Sequence, residues 1–301
     1  MKVLLTGSNG QLGKAIIAES RNYVSKFNIE LIQSSRHNMD LSNYEECKKI
    51  INFYKPDWVL NAGAYTLVDK AESQVSLAYA VNAKAPAAFV EVLETFGGRL
   101  LQVSTDFVFN GKQGFPYLTN QNVDPLGVYG SSKAEGEKAA LEYINSRVLR
   151  TSWVYGPTGK NFFLTILRLH SERSKNGQSL QVVSDQIGVP TSTKTLAKAC
   201  WKSIFLDSNN DSYRILHWTD AGAASWFDFA VSIGEIAAQL NIIESPAEVI
   251  PISTKEYPTP ARRPPYSILD CIDTREALSL NPVHWRKALE NVLHDLKNQG
   301  T

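Results

Sequence analysis

Val3, Leu4 and Leu5 form a short apolar run that passes directly into Thr6-Gly7-Ser8-Asn9-Gly10-Gln11-Leu12-Gly13, with Ala15, Ile16, Ile17 and Ala18 following at helical spacing. Strand, glycine turn and helix in that order constrain the fold more than any other stretch, because a helical crossover returns the chain to a parallel neighbour. Glycines three apart meet the needs of a dinucleotide pyrophosphate: a tight turn, close backbone approach and close packing of helix on strand. The helix start then offers unpaired N–H groups and the positive end of its dipole to the phosphates. The same spacing also suits a purely structural turn, and its place after the first strand of a βα series is what favours the nucleotide reading.

That series continues. Strands are expected at Ile29–Gln33, at Trp58–Leu60 after the breaker Pro56-Asp57, at Leu100–Ser104 and at Val148–Ser152, with helices over Tyr44–Tyr54, Ser73–Phe96 and Ser131–Ile144 between them. The alternation predicts an α/β chain with a doubly wound parallel sheet. After Gly156-Pro157 the regularity weakens and loops such as Val189-Pro190-Thr191 and Tyr257-Pro258-Thr259-Pro260 interrupt shorter elements. Residues 1–155 are therefore expected to form the nucleotide domain, and 156–301 a smaller, mainly substrate-binding domain with some elements packing back on the first sheet. A helix over Trp226–Leu240, capped by Ser225, is the clearest element of that second part.

With 31 Lys+Arg against 30 Asp+Glu in 301 residues, the chain lacks the basic excess that nucleic-acid backbones or anionic membranes require. Cys47, Cys200 and Cys271 are odd in number and widely spaced, which argues against a disulfide framework or a thiolate zinc site. No apolar stretch approaches the roughly 20 residues of a membrane span. An intact cytoplasmic chain with no nucleic-acid or membrane partner is expected. His37, His170, His217, His284 and His294 show no metal-ligand spacing, and no metal site is expected.

The tip of the second strand reads Gln33-Ser34-Ser35-Arg36. A carboxylate there would favour NAD by accepting from the ribose 2′-hydroxyl, whereas Arg36 can pair with a 2′-phosphate, so NADPH is the expected cofactor and NADH a possible one. The alternative for Arg36 is a solvated surface charge, and Asp40 can instead touch the adenine edge. Tyr129 and Lys133 stand four apart on one face of an expected helix, where the ammonium would stabilise phenolate and lower a pKa that is otherwise about 10. Ser104-Thr105-Asp106 ends an apolar strand, where ligands bind in such sheets. A hydroxyl there can polarise a substrate carbonyl, or simply cap the strand end. Together these features describe carbonyl reduction, with a proton from Tyr129, the field of Lys133 and orientation by Thr105.

Longer segments extend this pattern: Val68-Asp69-Lys70-Ala71-Glu72-Ser73, Ser104-Thr105-Asp106-Phe107-Val108-Phe109, Val128-Tyr129-Gly130 with Lys133, Arg150-Thr151-Ser152-Trp153-Val154-Tyr155-Gly156, Ser184-Asp185-Gln186-Ile187-Gly188-Val189-Pro190-Thr191 and Tyr257-Pro258-Thr259-Pro260-Ala261-Arg262-Arg263-Pro264. On these the chain resembles the extended short-chain dehydrogenase/reductase superfamily and, within it, the dTDP-4-dehydrorhamnose reductases, over nearly its full length. The resemblance implies a Rossmann-like domain and NAD(P)H-dependent reduction of the 4-keto group of dTDP-4-dehydro-L-rhamnose. It implies that Thr105, Tyr129 and Lys133 are catalytic, and that Gly10, Gln11, Leu12, Asp40, Leu41, Ala62, Gly63, Ala64 and Thr66 line the cofactor site with Tyr129 and Lys133; the glycine turn and the tip of the second strand add Gly7, Asn9, Gly13, Ser35 and Arg36 to the expected cofactor contacts. Thr105, Asp106 and Trp153 would face the sugar nucleotide, with Gln186, Arg262 and Arg263 as further contacts.

Some positions depart from the family pattern. Certain members dimerise around a magnesium ion held by glutamates, but the corresponding positions here are Ala15 and Lys194, which cannot supply hard oxygen ligands. A monomer or a dimer without a bridging metal is therefore expected. Thr119 and Gln121 stand where acidic residues are common, and Gly127 where asparagine is common, which bears on loop positioning more than on chemistry. Trp201, Trp218, Trp226 and Trp285 read as core or interface anchors, and Asp69, Lys70 and Glu72 as a polar helix start without an assigned role.

Overall fold

The computed structural model describes residues 1–206 and 213–299. Its centre is a six-stranded parallel sheet of β1 (Lys2–Thr6), β2 (Glu30–Gln33), β3 (Trp58–Asn61), β4 (Arg99–Thr105), β5 (Ser146–Thr151) and β6 (Ile215–His217), in spatial order 2-1-3-4-5-6. The order reverses between β1 and β3, so their carboxyl ends open the crevice where ligands bind in sheets of this kind.

Strand alternation explains the two layers. Val3, Leu5, Trp58, Leu60, Leu101 and Leu149 point to one face, against Leu12 and Ile16 of the Gln11–Glu19 helix and Leu196, Cys200 and Trp201 of the Thr193–Ile204 helix. Leu4, Val59, Leu100 and Val148 point to the other, against Cys47 and Ile51 of the Tyr44–Tyr54 helix and Ala88 and Phe89 of the Ala85–Leu93 helix. Each buried leucine contributes about 1.5–3 kcal/mol. Residues beyond 155 thus return to the first layer twice, as the Thr193–Ile204 helix, whose Trp201 Nε1 donates to the Ile16 carbonyl at 2.9 Å, and as β6.

A second core gathers Phe163, Ile166, Phe229, Ile233, Leu289 and Leu293 from the helices Phe162–Lys175, Trp226–Gln239 and Trp285–Gln299. Ser225 caps the second of these in a capping box with Asp228.

Two expected helices differ in form. The single helix over Ser73–Phe96 is three pieces, Val75–Tyr79, a π-turn at Ala80–Lys84 and Ala85–Leu93. Pro86 lacks the N–H that a regular ladder needs, and the π-turn accommodates it. The helix expected over Ser131–Ile144 runs Val128–Leu141, which puts Tyr129 inside its first turn.

Candidate active site

A cleft of about 910 Å3 opens at the carboxyl ends of β1, β3 and β4 and extends to the second core. The glycine turn forms its floor. Gly7 has φ +63, and a side chain there would meet the Gly63 backbone at 2.7 Å. A Cβ at Gly13 would stand 2.2 Å from the Gly7 carbonyl oxygen. These contacts leave no room for side chains between the turn, the loop after β3 and the first helix, and that helix begins at Gln11 with Gly10 as an N-cap that has no side chain. Its first N–H groups have no intrahelical partner and suit a phosphate. The strand ends are fixed by a buried chain in which the Thr6 hydroxyl donates to Asn61 Oδ1 at 2.5 Å, and Asn61 Nδ2 donates to Gln102 Oε1 at 2.6 Å.

Gly7, Asn9, Gly10, Gln11, Leu12, Ser35, Arg36, Ala62, Gly63, Ala64 and Thr66 line this end of the cleft. Gly13, Asp40 and Leu41 do not: Gly13 packs on the Gly7 and Ser8 backbone, Asp40 accepts from Ser42 N–H at 2.9 Å and faces Arg36 Nε at 3.6 Å, and Leu41 packs on Gly63. The Asp40 carboxyl is held below its ordinary value first by the Ser42 backbone hydrogen bond. Arg36 is largely solvent-exposed, which keeps its guanidinium available to an anion.

Thr105, Asp106, Tyr129 and Lys133 meet on the adjoining wall. Thr105 ends β4, donates to Asp106 Oδ1 at 3.0 Å and accepts from Phe107 N–H at 3.2 Å. Lys133 Nζ donates to the Val103 carbonyl at 2.6 Å. Burial pushes the Tyr129 hydroxyl up to about 12, against the pull of a hydrogen bond with Thr105. The expected lowering by Lys133 is therefore corrected: the lysine leans on the strand, and desolvation of the phenol prevails. Burial also brings Lys133 down to about 8, with Glu137 opposing, and raises Asp106 to about 7, with hydrogen bonds from Ser267 and Thr105 opposing. Among the described residues, buried Asp106 Oδ2 has no hydrogen-bond partner.

At the far end Trp153, held at φ +43, stacks on Trp226 with ring centroids 3.5 Å apart and planes 6° from parallel. Both line the cleft with Phe162 and Phe229. Gln186 does not line it. It accepts from Trp226 Nε1 at 3.2 Å and donates to Thr254 Oγ1 at 3.1 Å, and so braces the aromatic wall. The arginine pair also divides. Arg263 lines the cleft but is held bidentately by Asp69 at 3.0 and 2.8 Å, whereas Arg262 is exposed beside a separate small pocket.

This arrangement can bind a dinucleotide across the glycine turn and present a carbonyl to Thr105 and Tyr129. The model of a family described as RmlD substrate binding domain matches residues 1–298. A curated dTDP-4-dehydrorhamnose reductase of Aggregatibacter actinomycetemcomitans is 37% identical over 97% of this chain and 98% of its own. The chain belongs to the dTDP-4-dehydrorhamnose reductase family. Among solved structures, a dTDP-4-dehydrorhamnose reductase from Clostridium acetobutylicum is 35% identical, with TM-score 0.86 over 99% of this chain and 100% of that one. The dTDP-4-dehydrorhamnose reductase of Bacillus anthracis, in complex with NADP, is 30% identical, with TM-score 0.85 over 98% and 99%.

Two residues that sequence reasoning missed help build this reductase-family site. Trp226 was placed among the core anchors, although its position directly after the cap Ser225 puts it at a helix mouth. Asn82, in the π-turn, accepts from Tyr65 N–H at 2.9 Å and donates to the Tyr65 carbonyl at 3.1 Å and to Ser132 Oγ at 3.0 Å, tying the loop after β3 to the helix of Tyr129 and Lys133. Its only signal was a polar residue four positions before Pro86.

Proposed function

We propose that this chain reduces the 4-keto group of dTDP-4-dehydro-L-rhamnose to dTDP-L-rhamnose with NADPH. The observation that carries the reading is that Thr105, Tyr129 and Lys133 stand on one wall of the same cleft whose floor is the glycine turn. The cradle made by Gly7, Gly13 and Gly63 fits a pyrophosphate, and Ser35 and Arg36 fit a 2′-phosphate, so these residues would hold the cofactor. When bound, NADPH supplies the hydride that reduces the ketone.

The protein's own groups then act on the carbonyl oxygen. Thr105 offers it a hydroxyl, and Tyr129, protonated at neutral pH, gives it a proton as negative charge develops. Lys133, on the same wall, supplies a positive charge that favours the phenolate left when the proton departs. Asp106 and the Trp153–Trp226 wall would face the sugar, and Arg263, which also lines the cleft, would meet the diphosphate. In this reading residues 1–155 carry the cofactor and much of 156–301 shapes the sugar end, in a cytoplasmic monomer or a dimer with no bridging metal. Lys194, which stands where the family's metal-binding dimers have a glutamate, is engaged by Asp295 at 2.9 Å.

The test is NADPH oxidation by the purified protein with dTDP-4-dehydro-L-rhamnose, with the product's stereochemistry assigned by NMR. No turnover with either nicotinamide cofactor, or a product of the other configuration at C4, refutes the proposal.

A further inference from the structure

The helix that carries Tyr129 and Lys133 starts without a cap of its own. Gly127 stands at its N-cap, in an extended conformation with φ −148 and ψ 177, and offers no side chain to the orphan N–H groups of the first turn. The bond is supplied from elsewhere in the chain. Glu72, one residue beyond the short helix Val68–Ala71, accepts from the Val128 N–H at 2.9 Å through Oε1. A Cβ at Gly127 would stand 2.7 Å from that oxygen, so the missing side chain is what lets the carboxylate in.

We propose that Glu72 is a positioning residue for Tyr129, capping the catalytic helix in trans at the place that Gly127 leaves open. Tyr129 is the second residue of that helix, so the first turn is its whole support on the N-terminal side. Phe107 also packs on this turn: a Cβ at Gly130 would lie 2.2 Å from the Phe107 carbonyl oxygen, and the Phe107 ring meets the Tyr129 ring edge-on at 5.7 Å between centroids. Phe107 supplies the packing, and the Glu72 hydrogen bond holds the otherwise uncapped N–H of the first turn. A carboxylate also complements the positive end of the helix dipole. Three residues earlier, Asp69 binds Arg263 and the Ala261 N–H, so one short segment sets both the tyrosine and the loop that closes the cleft edge.

The proposal rests on Tyr129 being the proton donor, and its test separates the two claims. Glu72→Ala, Glu72→Gln and the double variant Glu72→Ala/Gly127→Asn are compared with the unaltered protein for kcat, for KM of the sugar nucleotide, and for hydrogen exchange of the peptide spanning 127–133. Glu72→Ala should lower kcat by about tenfold to a hundredfold, the cost of misplacing a reacting group by an ångström or less, with KM changed much less and exchange accelerated. Glu72→Gln keeps an acceptor and should recover most of both. In the double variant the asparagine side chain has room and caps the same turn from within, so kcat and exchange protection should return toward the starting values. Unchanged kcat and exchange in Glu72→Ala, or no recovery in the double variant, overturns the proposal. Absence of turnover in the unaltered protein refutes the functional reading alone, and the exchange pattern still decides the capping.

Discussion

Gly13→Ala tests the cofactor cradle at its tightest point. The added methyl would stand 2.2 Å from the Gly7 carbonyl oxygen, 2.8 Å from Ser8 Cα and 2.9 Å from the Gly7 carbonyl carbon. All three are backbone atoms of the turn itself, so no side chain can swing aside. The closest contact lies more than an ångström inside ordinary van der Waals separation, and the turn and the helix N-terminus must part by a comparable amount. Overpacking of this kind costs about 1–3 kcal/mol of stability. Drawing the N–H groups away from the pyrophosphate should weaken NADPH binding by about tenfold to a hundredfold, or about 1.4–2.7 kcal/mol. Calorimetric titration of NADPH measures this directly, and Gly114→Ala is the control, because no atom of the described residues lies within 4 Å of a Cβ there. Wild-type NADPH affinity in Gly13→Ala would show that the dinucleotide does not sit on this turn.

Other expectations concern the remaining parts of the cleft. Tyr129→Phe should abolish most turnover while the NADPH dissociation constant stays near its starting value; full activity in that variant removes Tyr129 from its role. Trp226→Leu loses a stacked ring, about 0.5–1.5 kcal/mol, and should raise KM for the sugar nucleotide roughly threefold to tenfold without altering NADPH affinity, so a change confined to the cofactor would contradict the assignment. Glu137 and Arg150 form a buried ion pair at 2.7 Å, and Glu137→Leu leaves the guanidinium without its partner, a loss of about 3–5 kcal/mol to be read from urea unfolding. Burial raises Asp220 to about 7, so the native protein retains a proton that the unfolded chain releases near pH 4. That contribution is complete below the unfolded pKa and is lost as pH rises through about 7, and Asp220→Asn should flatten this part of the stability profile. Parallel profiles for the two proteins would refute it.

Much of the site was legible because its chemistry is local. The glycine turn, the pair Tyr129 and Lys133, and the strand end at Thr105 each depend on spacing within a few residues, and strand or helix periodicity places such groups without knowledge of the rest of the chain. Asn82 was not legible, because its value lies in reaching Tyr65 and Ser132, 17 and 50 residues away. The segments of Gln186 and Arg262 suggest ligand contacts, but they do not reveal that Gln186 bonds Trp226 or that Arg262 is exposed beside a small pocket adjoining the cleft.

The sequence alone determined the βα order, the glycine turn and which side chains are proposed to react, since these follow from period, turn stereochemistry and functional-group type. Only the tertiary structure decided their electrostatics. Spacing on a helix predicts that Lys133 lowers the Tyr129 pKa, but the cleft removes water from the phenol and directs the ammonium to the Val103 carbonyl, so burial sets the value near 12. It also decided that Glu72 and Gly127, 55 residues apart and neither reactive, meet at the mouth of the catalytic helix. Desolvation and long-range hydrogen bonds depend on everything packed around a group, and no stretch of sequence contains that information by itself.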